Sequence, residues 1–302
     1  MERARLGQRR ARAARVAGLE TGACEPRPAA RLAADEGRAP EPVDGLGMLA
    51  RELLGEADRL LADALPVAGH APAVAPVGEG RHVQERGAET LLLKANVGDV
   101  GQLKAMFGKV KEAWDSLDIY VSNARASLAT GFYAAPMEIT LEQWRATVDT
   151  QATEFLVACR EAVPMMAKNG RIIAITYAPG SATGSWQPWV AMGSAKAAKE
   201  SLVRYFAVAL AQRGITVNSI SPGACDDSVL SGLPPEVFKL IKDWHQSGWT
   251  PMRRLGTPAD IGNAVVLMCT EQAGFITGQT LHVDGGGSAM LPDFPLGIQG
   301  IK

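Results

Sequence analysis

Residues 171–176, RIIAIT, followed by the Ala-rich stretch 195–213 and then by 214–220, GITVNSI, decide the fold. An apolar run of strand length, a helix-length segment and a second apolar run form the pattern of a βαβ unit. Upstream, Leu117–Val121 reads as a buried strand and Trp144–Met166 as a long helix. Val100–Trp114 spaces Leu103, Met106, Phe107, Val110 and Trp114 as a helix does, after a short apolar strand at Leu91–Leu93. Downstream, Pro258–Cys269 reads as a helix and Gln279–Val283 as a last strand before Asp284–Gly287. Strands alternating with helices predict an α/β domain built on a parallel sheet. In such sheets ligands sit beyond the carboxyl ends of the strands, at the topological switch point. The loops after Ile119–Val121, Ile172–Thr176 and Val217–Ile220 are therefore where chemistry is expected.

Composition breaks sharply ahead of this region. Residues 1–93 contain no Lys, Asn, Ile, Phe, Tyr, Trp or Ser, but hold 13 Arg and 20 Ala. A segment without Ile or aromatic side chains has few groups able to fill a core. Only Leu46–Leu65 reads as an amphipathic helix. Three readings stand for residues 1–84. One is a disordered Arg/Ala/Pro-rich extension. Another is an organelle transit peptide, although such peptides are Ser-rich. The third is a GC-rich gene translated out of frame, which yields Arg, Ala, Gly and Pro and omits residues with AT-rich codons. Three parts follow: an extension over 1–84, an α/β domain over 85–290 and a tail over 291–302.

With a net charge of −1 the chain carries no electrostatic footprint for nucleic acid. No apolar stretch approaches the ~18 residues of a membrane span. The four cysteines are scattered without a CxxC, and Cys225–Asp226–Asp227 has no His or further carboxylate at ligand spacing. No metal is expected, and a reducing cytoplasm is. No His stands beside a candidate nucleophile, which removes support for a Ser-His-Asp hydrolase.

The loops carry Asn96–Val97, Ser122–Asn123–Ala124–Arg125, Thr176–Tyr177, Met192–Gly193–Ser194–Ala195–Lys196, Asn218–Ser219–Ile220–Ser221–Pro222–Gly223 and Val283–Asp284–Gly285–Gly286. In this order and spacing they resemble the short-chain dehydrogenase/reductase superfamily from about residue 85 to 290. The resemblance implies a single-domain, Rossmann-type doubly wound sheet, NADPH or NADH as cofactor, and a homo-oligomer, often a tetramer. It implies cofactor contacts from Asn96, Val97, Asn123, Ala124, Thr176, Lys196, Pro222 and Gly223. Ser231–Trp249 would form the substrate lid.

Departures from the pattern matter as much as the matches. The family's Asn-Asn-Ala-Gly ends here in Arg125, and its proton-relay Asn falls at Gln151. The Ser of the carbonyl-reducing members lands on Tyr177 and their Tyr on Met192, while the Lys is kept as Lys196. Methionine cannot donate a proton, so the usual ketoreductase acid is missing. The segment from Val190 to Ala197 is similar to the enoyl-acyl-carrier-protein reductase branch, which places a Tyr at the Tyr177 position and another at the position of Trp189. There, charge builds on a thioester oxygen, and positioned donors can stabilise that enolate. Tyr177 and Lys196 are then the catalytic candidates, with Trp186, Trp189 and Met192 as pocket wall. The substrate would be a 2-enoyl thioester of CoA or of acyl carrier protein, in fatty acid biosynthesis. Two alternatives stay open: a carbonyl or alcohol oxidoreductase using Tyr177 as its acid, and an inactive chain. The last arises because the family's Thr-Gly-x-x-x-Gly-x-Gly turn is nowhere ahead of Asn96. The first βαβ unit is expected to be missing or replaced by irregular chain.

Overall fold

The computed structural model describes residues 91–124, 134–177, 189–226, 230 and 235–290. The extension over 1–84 with its Leu46–Leu65 helix, Arg125, Trp186, the first residues of the lid and the tail over 291–302 lie outside them.

Among the described residues four strands make one fully parallel sheet in the order β1 (Leu117–Ser122), β2 (Met166–Ile175), β3 (Thr216–Pro222) and β4 (Thr280–Val283). Helix α1 (Val100–Trp114) precedes β1, and between the strands run α2 (Leu141–Val148), α3 (Glu154–Ala162), α4 (Val190–Leu210), α5 (Pro235–Trp244) and α6 (Pro258–Cys269). Period-2 alternation sorts β2 between two cores. Ile172 and Ala174 face one way, onto Leu103 and Phe107 of α1, Phe155 and Cys159 of α3, and Val203 and Ala207 of α4. Ile173 and Ile175 face the other way, onto Ala264, Val265 and Met268 of α6. Helices cover both faces, as an α/β layer structure requires.

The ends of α1 and α6 fall where expected, and their caps explain why. Asp99 accepts from the backbone amides of Gly101 and Gln102 to start α1. Thr257 and Asp260 form a reciprocal capping box at α6, with Pro258 in the first turn.

Three expectations fail. Leu91–Leu93 forms no strand: it has no pairing partner among the described residues, and Leu92 is 52% exposed. Leu117–Val121 is a strand but not a buried one, with Ile119 40% exposed, because β1 is the edge of the described sheet. A doubly wound sheet would place its switch point at that edge. The single helix over Trp144–Met166 is four pieces. A Thr140–Gln143 capping box starts α2 three residues earlier, a π-helical turn occupies Asp149–Thr153, and α3 gives way at Val163–Met165 to a 3-10 turn containing Pro164. Met166 already has strand backbone, at φ −80° and ψ 129°.

Candidate active site

The carboxyl ends of β1, β2 and β3 bring Ser122–Ala124, Thr176–Tyr177 and Pro222–Gly223 to one rim of the sheet. Thr176 closes β2: its amide donates to the Ile220 carbonyl at 2.8 Å and its hydroxyl reaches the same oxygen at 3.3 Å. Tyr177 follows directly, so β3 fixes where it leaves the sheet. Helix α4 then carries Lys196 back to this point, and its Nζ donates to the Thr176 carbonyl at 3.1 Å.

Beside that contact lies a small aromatic cluster. Tyr177 and Trp189 stack edge to face with ring centroids 5.7 Å apart, and Met192 packs against them. Trp189 and Met192 are both buried, Met192 completely. Met192 therefore supports the two rings from behind, and Tyr177, directly after the rim residue Thr176, is half-buried. Backbone pairing of Trp189 with Ala134 secures the entry into α4.

On the β1 side, Gln151 is buried in the π-helical turn and donates through Nε2 to the Ala124 carbonyl at 2.9 Å. A π-turn displaces the side chains that follow it and recurs at functional sites. Here it carries the residue at the family's proton-relay position, which holds the loop rather than pointing an amide at Lys196. On the β3 side, the Gly223 amide donates to the Val283 carbonyl at 2.9 Å. A Cβ at Gly223 would meet the Asp284 Cβ at 2.7 Å, so only glycine fits where this loop crosses the end of β4. Asn96 stands apart, exposed in the turn before α1. Its Oδ1 accepts from the Gly98 amide and its own amide donates to Gln102 Oε1, both at 3.0 Å. Val97 beside it is half-buried and packs on the α1 core.

The lid candidate is helical from Pro235 and ends in a π-helical turn at His245–Trp249. Trp244 and Trp249, both substantially exposed, lie with rings 5.9 Å apart. Among the described residues no group of His, Cys, Asp and Glu could hold a metal, and no helix is long and apolar enough to cross a membrane.

Sequence reasoning missed a second cluster next to the first. Glu154, Lys199 and Ser122 are each at most 2% exposed and bond to one another, and Tyr120 joins them through Glu154. The signal was available. Lys199 interrupts the apolar stripe Met192–Ala195–Val203–Ala207–Leu210 on α4, and Glu154 heads the buried stripe Phe155–Ala158–Cys159–Ala162 on α3.

The enoyl-(acyl carrier protein) reductase family matches residues 61–288. This chain belongs to that family, within the short-chain dehydrogenase/reductase superfamily. The match reaches back past residue 85, into the segment read as foreign. A 1-cyclohexenylcarbonyl-CoA reductase of Streptomyces collinus is 32% identical over 70% of this chain and 73% of its own. A 3-oxoacyl-(acyl-carrier-protein) reductase of Staphylococcus aureus is 30% identical over 68% and 79%. The solved angucycline C-6 ketoreductase LanV, with bound NADP, superposes with a TM-score of 0.65 at 25% identity, over 78% of this chain and 92% of that one. The short-chain fold and NAD(P)H-dependent reductase chemistry follow from this membership. The rim suits the nicotinamide–ribose end of such a cofactor: one ammonium on α4, a strand-end carbonyl, and a glycine where no side chain fits. The family's pyrophosphate turn belongs ahead of Asn96, outside the described residues.

Proposed function

We propose that the protein reduces the C=C bond of a 2-enoyl thioester carried by CoA or acyl carrier protein. One observation carries this reading. The family's Tyr position on α4 is a completely buried methionine, whereas Tyr177 stands half-buried at the end of β2, next to the peptide that Lys196 binds. NADPH or NADH, when bound, supplies the hydride. Lys196 then binds ribose hydroxyls and orients the donor. Asn123, Ala124, Thr176, Pro222 and Gly223 would hold the nicotinamide end, and Asn96 and Val97 the adenine. As hydride reaches the β-carbon, negative charge moves onto the thioester oxygen, where the Tyr177 hydroxyl donates a hydrogen bond. Preorganised donation of this kind stabilises an enolate without a full proton transfer, and water can supply the last proton. Trp189, backed by the buried Met192, would wall the acyl chain together with Trp186. The chemistry named for the Streptomyces relative, a cyclohexenylcarbonyl thioester, supports this substrate class.

A second reading is reduction of a carbonyl with Tyr177 as the acid. The 3-oxoacyl and angucycline reductases among the similar proteins favour it. Parallel turnover assays with a 2-enoyl and a 3-oxoacyl thioester at the same millimolar NADPH separate the two. Faster loss of the enoyl substrate supports enoyl reduction, and faster loss of the 3-oxo substrate replaces it with carbonyl reduction. A homotetramer in the cytoplasm, over domain limits of 85–290, completes the proposal.

A further inference from the structure

We propose that Glu154 is a positioning residue, holding the two sides of the nicotinamide end at a fixed separation. The inference rests on the reductase reading for what is positioned, and on geometry for the rest. Ser122 Oγ donates to Glu154 Oε2 at 2.7 Å, and Lys199 Nζ donates to Ser122 Oγ at 2.9 Å. Lys199 Nζ also stands 3.3 Å from the same carboxylate oxygen, with side-chain exposures of 0% and 2%. The Tyr120 hydroxyl donates to the other oxygen. The ammonium lies over the Phe155 ring, 5.8 Å from its centroid. Burial, and next the Glu154 charge, push the Tyr120 hydroxyl well above the usual tyrosine range, so it stays a donor.

Each member is one step from a site residue. Ser122 immediately precedes Asn123–Ala124, Lys199 follows Lys196 by one helical turn, and Glu154 follows Gln151, which itself binds the Ala124 carbonyl. One carboxylate therefore ties the end of β1 to the turn of α4 that carries Lys196. Stability alone does not explain the arrangement. Buried ion pairs can often be replaced by apolar groups at no loss, while removing one partner leaves an uncompensated charge. What the pair does add is a single allowed spacing between two elements, and misplacing a reactant by about 1 Å can cost ~10² in rate.

The test compares the wild-type chain with E154Q/K199M, which removes both charges at similar volume, and with S122A, which removes only the link to β1. Amide hydrogen exchange on the free protein is the first measurement, and NADPH affinity by titration into the millimolar range is the second. The double variant is expected to keep its Tm within about 5 °C. Exchange at 122–124 should quicken about tenfold relative to Ile172–Ile175, and the NADPH Kd should rise about tenfold. S122A should change both quantities in the same direction by a smaller factor, and it decides the matter if the double variant does not fold. Exchange that rises uniformly over the sheet, or an unchanged Kd in folded S122A, overturns the proposal and leaves a purely structural pair. If the wild-type chain takes up NADPH too weakly to titrate, the Kd comparison is made with residues 1–90 replaced by the strand, glycine-rich turn and helix of another short-chain reductase. No uptake by that form sinks the reductase reading instead, and the exchange pattern still decides whether the loop is positioned.

Discussion

The ammonium of Lys196 stands 3.1 Å from the carbonyl of Thr176, the peptide oxygen that leads into Tyr177. The end of β2, the Lys196 ammonium and the Tyr177 ring thus meet at one peptide unit. A hydrogen bond with a charged donor is roughly twice as strong as a neutral one, so this contact holds the ammonium at the end of β2.

Removing that cation gives the first prediction. Lys196→Met keeps the aliphatic stem and loses the charge, so the helix should fold normally. Turnover of a 2-enoyl thioester should fall ~10²–10³, since loss of one preorganised charged donor typically costs this much. The NADPH KM should rise alongside it. A variant with wild-type KM and turnover would remove Lys196 from the site.

Tyr177→Phe deletes a single hydroxyl at the rim and should lower enoyl turnover by ~10²–10³ with little change in Tm. Met192 behaves differently because it is completely buried. Met192→Leu should alter neither quantity much, as a volume-conserving exchange. Met192→Ala should instead cost about 2–5 kcal/mol of stability by opening a cavity under Trp189. Activity per folded molecule that survives Tyr177→Phe would leave the enolate without its assigned donor.

An acid-range prediction follows from α6. Arg254 donates to both Asp260 oxygens, at 2.7 and 2.9 Å, and with the Thr257 cap this holds the Asp260 carboxyl down at about 2. The unfolded value is near 3.9, so the unfolded chain binds the proton more readily in between. The stabilisation is therefore complete above pH ~4 and is lost as pH falls toward 2. Arg254→Met should lower Tm at pH 7, and its gap from wild type should close between pH 4 and 2. A gap that is constant with pH would mean the pair contributes by packing alone. The pair is half-exposed, so the effect should be small and weaken with salt.

Much of this was legible from the sequence, for a physical reason. RIIAIT, GITVNSI and the capped helices α1 and α6 each bury an apolar run or carry their own stop signals, so local pattern and tertiary fold agree. Leu91–Leu93 misled because strand-forming composition needs a partner edge, which no local pattern supplies. The broken helix over 141–165 misled because apolar periodicity survives a π-turn, while Pro164 was a visible stop that the reading passed over. For the Glu154–Lys199 pair the sequence shows a charge in each buried helix stripe, but only the fold, which brings the two within 3.3 Å, makes them partners.

The last prediction concerns what precedes Asn96. Pyrophosphate is held by free amide groups at a helix N-terminus after a glycine-rich turn. The sequence ahead of Asn96 contains no Thr-Gly-x-x-x-Gly-x-Gly, and its Gly45–Leu46–Gly47 has no apolar strand before it. On the proposed reading, Lys196, Asn123 and Gly223 would serve only the nicotinamide end. Those contacts alone should leave the 302-residue chain with an NADPH Kd of about 1 mM or weaker, some −4 kcal/mol. Replacing residues 1–90 with the strand, glycine-rich turn and helix of another short-chain reductase should tighten binding at least ~10²-fold. The nucleotide sequence offers an independent check, because an alternative frame upstream of codon 90 is expected to encode that motif. Micromolar binding by the unaltered chain, measured by calorimetry, would show that residues 1–90 supply a phosphate site of another kind. Stops in every other frame would remove the frame explanation and leave the extension to be accounted for by a function of its own.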